Sequence, residues 1–465
     1  MFKDYALFDI RIRGIDREHS TVEVHSELGG DARSTFIPPL GDPTYDQLTK
    51  QLQELETDED GLVELGQFLF HALFQGSIKD VYKLSQGRLK EGQGLRLRLD
   101  IDPALTEIAE LPWEFLYDPD RGPLATLNMS IVRYLSQQAA PAALATPLPI
   151  NVLVTGAVTP PEPDVKQELD EVCKALAVLE QAGYVKLHIE EHLTRTKLQR
   201  LLRGGFQIWH FIGHGARSRD GKSGTLVFED STGAAESISA RELGIFLDSS
   251  GVRLIVLDAC NSAKLMIDPY RSVAPALIRA QVPAVIAMQF TVPQEATRAF
   301  AGEFYRTLAE GFPLDACVTE GRKAVLGISG LRNPDWGIPV VYTRAPDGKL
   351  FDLPANPSSA ASATLAANAG TNVSIGSHNQ LRDSSIAISN VGNTTSTGEP
   401  NQDEERADQI AALQELIRTN RRRLNQRQLQ AAKYGIGVDP SISIEIEDLT
   451  KEIAKLEREL KALGG

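Results

Sequence analysis

The sequence predicts an α/β protein: a mostly parallel sheet with helices on both faces, an N-terminal α+β region ahead of it and a helical hairpin behind it. Three observations carry that prediction. From Pro149 onward, short runs that are apolar on both faces alternate with stretches of helical spacing. That is the pattern of βαβ units whose sheet is covered on each side. Ahead of that point, strict alternation gives way to helical periodicity, as in an α+β region. After Pro354 the composition turns to Ser, Ala, Asn, Thr and Gly, and then to an apolar seam of heptad spacing.

Residues 1 to 40 read as β structure. Phe8, Ile10 and Ile12 alternate with Asp9, Arg11 and Arg13, Thr21–His25 alternates again, and Gly14, Gly29 and Gly30 mark turns. One helical stretch is expected from Thr44 through Phe74, followed by Leu95–Ile101 as a strand with one wet face. Beyond Pro149 the expected strands are Ile150–Val154, Val185–Ile189, Gln207–Ile212, Val252–Leu257 and Pro283–Met288. Helices are expected at Glu162–Ala182, Thr194–Leu202, Ala240–Leu247, Ala274–Ala280, Glu295–Glu310 and Leu314–Leu326. Ser239-Ala240-Arg241-Glu242 has the form of a capping box, in which the Ser and Glu side chains satisfy backbone N–H groups reciprocally. The domain plan is therefore 1–90, 91–352, a linker over 353–403 and a helical module over 404–465.

Composition narrows the function classes. A chain of 465 residues with 42% hydrophobic and 24% charged content reads as a soluble multi-unit protein. A formal charge of −14 argues against direct nucleic-acid binding, which leaves a basic footprint. Three cysteines, Cys173, Cys260 and Cys317, make neither a disulfide framework nor a zinc spacing, so no metal or cofactor is expected. With no apolar segment of spanning length and no signal-peptide core, a cytoplasmic location and no membrane partner are expected.

Two segments carry chemistry: Trp209–Gly215, which ends in His214-Gly215, and Val256–Ser262, which contains Asp258 and Cys260. Each follows an apolar strand, and strand C-termini are where α/β sheets build their sites. A thiol is mostly protonated at neutral pH, so an imidazole beside it must take its proton before it can attack. His214 and Cys260 on adjacent strand ends meet that need. The glycines flanking His214 let the backbone turn, and the N–H groups of Gly215 and Cys260 are candidate oxyanion donors. Cys173 and Cys317 sit in apolar helical patterns and read as packing residues, as does His210 inside its strand. Gly215…Gly221-Lys222-Ser223 approaches a phosphate-binding loop, but one residue too many separates the glycines and a strand follows where a helix is required.

His210–Gly215 and Leu257–Ser262 together resemble the two catalytic motifs of the CHAT-type proteases, relatives of caspases and separases. Leu111–Asp118, Ser130–Tyr134, Ser272–Ala274, Val282–Gln289 and Trp336–Val340 resemble that family in the same order, so the likeness covers roughly residues 90–345. It implies a caspase-like fold, with His214 as base and Cys260 as nucleophile of a cysteine peptidase acting on a protein or peptide substrate. Asp258 is similar in position to the metacaspase aspartate that receives a basic side chain, which implies cleavage after Arg or Lys. Arg217 and Arg219 are then candidate self-cleavage positions.

Residues 373–389 hold two short alternating runs that suit either a flexible linker or a small β-forming assembly motif. Ile442, Ile446, Leu449, Ile453, Leu456, Leu460 and Leu463 form an a/d seam, preceded by a poorer one from Ile410 to Tyr434. Its partner is the other arm, a second copy or another protein. The segment Tyr434–Leu449 is similar to adaptor segments of bacterial signalling and defence effectors, which implies recruitment to a sensor through 404–465. The rivals are a catalytically idle caspase-like scaffold and a non-proteolytic thiol hydrolase.

Overall fold

The computed structural model describes residues 4–136, 140–158, 164–217, 224–259, 270–290 and 293–353, together with Thr450, Lys451, Lys455, Leu456 and Arg458. The chain divides into two units, Met1–Gly370 and Thr371–Gly465. In the second, the described residues are helical, but the candidate β motif at 373–389 and most of the hairpin lie outside them.

The N-terminal alternation folds into β1 (Asp4–Gly14), β2 (Ser20–Ser26) and β3 (Gly30–Phe36), an antiparallel meander. Where one helical stretch was expected there are two, α1 (Pro43–Gln53) and α2 (Glu59–Leu73), with α3 (Gly76–Gly87) after them. The break has a local cause. Leu55 adopts a left-handed φ of 56°, and Asp58 then caps α2 by accepting from the Gly61 N–H at 2.9 Å.

Strand β4 (Gln93–Ile101) pairs with β1 on one side and with β5 (Met129–Tyr134) on the other. Its expected wet face is largely withdrawn from solvent, with Arg98 and Asp100 half-buried. Arg96 is 7% exposed and forms a two-point pair with Asp315, at 2.7 and 3.0 Å, while Arg98 meets buried Asp9 at 2.7 Å. Alternating arginines in an interior strand are tolerated because each charge is paired across an element boundary.

The βαβ region follows the expected order. It comprises β6 (Ile150–Gly156), α4 (Asp164–Gln181), β7 (Val185–Glu190), α5 (Arg195–Leu201) and β8 (Ile208–Arg217). Then come β9 (Gly224–Glu229), β10 (Ala235–Ser239), α6 (Ala240–Leu247), β11 (Leu254–Ala259), α7 (Tyr270–Arg279) and β12 (Ala284–Met288). The capping box at Ser239 and Glu242 forms in both directions. Helices α8 (Gln294–Ala309) and α9 (Leu314–Ser329) precede the last main strand, β13 (Pro339–Thr343).

Among the described residues these strands make one sheet in the order β7-β6-β8-β11-β12-β13-β5-β4-β1-β2-β3, with β9 and β10 branching from β8. Pairing is parallel from β7 through β12 and from β13 through β1. Strands from 1–90 and from 91–352 thus share one sheet. Val152 and Leu153 in β6, and Ile255 and Val256 in β11, are buried on opposite faces, which is why these strands read as continuous apolar runs. No helix among the described residues is long and apolar enough to cross a membrane.

Candidate functional site

Strand β8 has two sets of neighbours. Ile208 through Gly213 are registered in parallel with β11, ending at the pair Gly213–Ala259, and β6 flanks the other side as far as Ile212. From His214 onward β8 instead pairs antiparallel with β9, with His214 opposite Val227 and Gly215 opposite Leu226. His214 is therefore the first residue after β8 leaves the parallel sheet. It is held at 9% exposure.

The two-residue period of a strand puts His210, Ile212 and His214 on one face of β8, and Trp209, Phe211 and Gly213 on the other. Trp209 and Phe211 pack against Phe228 of β9, with ring centroids 6.4 and 5.6 Å away, and the Trp209 indole N–H donates to Thr155 Oγ1 at 2.9 Å. A Cβ on Gly213 would lie 2.7 Å from the Phe211 ring, so a bare Cα is needed beside His214.

On the His214 face lies a buried polar cluster. His210, 2% exposed, stacks on Tyr305 of α8 at 5.9 Å between centroids, and its Nδ1 is 3.0 Å from the Tyr305 hydroxyl. Its Nε2 lies 3.6 Å from Asp258 Oδ2. Asp258 is only 1% exposed and is registered opposite Ile212. Burial first, and the charge of Asp258 second, push the Tyr305 phenol well above its ordinary value.

The structure thus places Asp258 next to the end of β11, and His214 and Gly215 where β8, which continues to Arg217 beyond its expected end at Ile212, passes from β11 to β9. Cys260 follows Ala259 in sequence and lies outside the described residues, as does Arg219. The remaining thiols are packing groups. Cys317 is fully buried, and desolvation pushes the half-buried Cys173 thiol up to about 11. Two site-flanking residues had not been singled out from the sequence. Tyr305 sits within an ordinary helical pattern and gave no signal. Glu229 ends the apolar run Leu226-Val227-Phe228, which is a signal for a buried carboxylate. It accepts from the Val158 N–H at 2.7 Å and faces His192 Nδ1 at 3.1 Å, tying the exit of β6 to β9. Among the described residues no group of three His, Cys, Asp or Glu side chains is placed to hold a metal.

The sequence matches the family described as CHAT domain over residues 63–336, more than half of its length. No curated protein matches it. Its structure is similar to the Saccharomyces cerevisiae separase in the separase–securin complex, with a TM-score of 0.34 and 14% identity over 65% of this chain and 22% of that one. A second structure of that complex gives 0.33 and 14%, over 61% and 18%. The Drosophila initiator caspase Dronc gives 0.28 and 8%, over 48% of this chain and 95% of that one. The chain thus spans about a fifth of the separase's length.

Proposed function

This chain belongs to the CHAT-domain family, and from that premise we propose that it is a cysteine endopeptidase. Cys260 Sγ, its proton taken by His214, attacks the scissile carbonyl carbon. The carbonyl electron pair moves to oxygen, where the N–H groups of Gly215 and Cys260 receive it. His214 then gives its proton to the departing amine, and water releases the acyl group from sulfur. The observation that supports this most directly is the register: His214 comes one residue after Gly213, whose partner Ala259 comes one residue before Cys260.

Two readings stand for Asp258. Its position two residues before Cys260 supports a receiver of Arg or Lys side chains. Its 1% exposure and its place beside His210 favour a positioning role instead. The seam at 404–465 supports recruitment by a sensor or adaptor protein, or self-association, within a prokaryotic defence or signalling system. Activity would then be held back until that partner binds.

The test is cleavage of fluorogenic peptides that differ in the residue before the scissile bond, by wild-type, Cys260→Ala and His214→Ala full chains. Turnover that disappears in both variants is expected. Turnover that persists in Cys260→Ala would sink the dyad. If a purified wild-type chain already works at full rate alone, gating by a partner fails. The low exposure of His214 favours one rival, an idle scaffold. That rival gains if a peptide bearing an electrophilic ketone labels neither wild-type nor Cys260→Ala protein.

A further inference from the structure

The cluster behind His214 gives the positioning role of Asp258 a chemical form. A carboxylate only accepts hydrogen bonds, and one group facing Asp258 is His210 Nε2, 3.6 Å away. A lone pair on that nitrogen would point at an anion in a site shielded from water, so the proton belongs on Nε2. In a neutral imidazole Nδ1 is then the acceptor. The group 3.0 Å from Nδ1 is the Tyr305 hydroxyl, which has a proton to give. With a neutral imidazole the contacts run in one direction: Tyr305 O–H donates to His210 Nδ1, and His210 Nε2–H faces Asp258.

The chain also links three elements. Tyr305 belongs to α8, His210 to β8 and Asp258 to β11. His210 is registered opposite Val256 and Ile212 opposite Asp258, so the His210–Asp258 contact crosses diagonally between the two strands just before they part. At 1 to 2% exposure, all three side chains lie beneath the surface a peptide would meet.

We propose that Tyr305, His210 and Asp258 are positioning residues that fix the ends of β8 and β11, so that Asp258 governs turnover of any peptide rather than the choice of side chain at the cut. The effect on turnover rests on the endopeptidase reading; the buried chain itself does not.

Both parts can be measured on the full chain. Histidine labelled with nitrogen-15 reports tautomers by NMR, with the His210 signals identified by their loss in His210→Gln. An Nε2–H tautomer is expected, turning into a mixture of tautomers in Tyr305→Phe, which keeps the ring but removes the donor. An Nδ1–H tautomer, or both nitrogens protonated at neutral pH, overturns the chain. In the peptide series, Asp258→Asn should lower kcat by the same factor for basic and apolar residues at the cut, with KM little changed. A factor of about 10 to 100 is expected, the scale on which small misplacements act. A loss confined to Arg and Lys peptides and expressed in KM overturns the positioning role. A wild-type chain without Cys260-dependent cleavage overturns the endopeptidase reading and the effect on turnover with it, while the nitrogen signals still decide the chain.

Discussion

Arg133 and Glu114 meet through two short contacts, at 3.0 and 2.6 Å, and Arg133 also donates to the carbonyls of Ala109 and Leu111. Beside His214 a buried pair is longer, His210 to Asp258 at 3.6 Å. Arg133, His210 and Asp258 lie in strands of one sheet and Glu114 in a short 3-10 turn, and both pairs are almost fully buried. They differ in how closely the two partners meet. On the β4–β5 side, planar guanidinium forks lock onto carboxylates and the geometry has little freedom. Beside the site, an imidazole faces a carboxylate at a distance that leaves room for adjustment. The residues Leu111–Asp118 and Ser130–Tyr134, which carry part of the family resemblance, thus belong to the scaffold. Glu114 and Arg133 hold it together, and Ser130 donates to Asp315 at 2.5 Å.

If this contrast is right, the largest loss of stability should come from the scaffold side. Glu114→Ala strands Arg133 without its counter-charge, and also removes an attraction felt by Arg322, whose guanidinium burial already lowers to about 10. Breaking one half of a buried pair costs about 3–5 kcal/mol. Denaturant unfolding should show a loss of that size, and a loss well under 1 kcal/mol breaks the comparison.

Replacing both halves sharpens it. Arg96→Met with Asp315→Leu removes the two charges together, and such exchanges are often neutral or stabilising by about 1–4 kcal/mol. Asp315→Leu alone should be strongly destabilising, with most of the stability returned in the double variant. A double variant as weak as the single one would mean that the pair supplies net stability, not only fixed geometry.

The smallest effect is expected at the surface, where the capping box offers a contrast to both buried pairs. The Ser239 backbone N–H first, then Arg195 and the Ser239 hydroxyl, hold the Glu242 carboxyl at about 2, against an ordinary 4.5. A depressed folded-state value means that its contribution is present above pH 4.5 and is lost as the pH falls toward 2. Glu242→Gln should flatten the acid limb of stability within that window. An unchanged acid limb would show that the box contributes nothing through ionisation.

The parts of this fold that could be read from sequence are those set by local pattern. Val152–Val154 and Ile255–Leu257 are apolar on both faces because the parallel sheet is covered twice, and Ser239 announces its helix through Glu242 three residues on. What could not be read depends on distant partners. Arg96 looks like a solvent-facing residue because Asp315 is 219 positions away. His210 could be recognised as buried, but Tyr305, its partner, lies 95 positions further on inside an unremarkable helix. The helix break at Leu55 rests on a single left-handed residue followed by an aspartate cap, too short a signal to interrupt a helical pattern. At the site, His214 reads in the sequence as lying past a strand end at Ile212, whereas its strand runs on to Arg217 by exchanging β11 for β9, a distant pairing that local pattern does not reveal.

Strand order also sets a timetable. Five strands formed by residue 134 make one half of the main sheet, and β6 through β12, complete at Met288, make the other. The strand that joins them is β13, which is synthesised after both. It pairs with β12 from Ala284–Thr343 to Met288–Pro339, and with β5 through Tyr342–Arg133 and Thr343–Tyr134. It is pinned by Arg322, which donates to the Pro339 carbonyl at 2.5 Å. A ribosome adding about 5–20 residues per second needs roughly 3–10 s to pass from the end of β12 to the start of β13. During that interval β5 and β12 both present unpaired edges, the kind of surface on which chains associate wrongly. Premature termination before Pro339 would leave two half-sheets with no strand to join them.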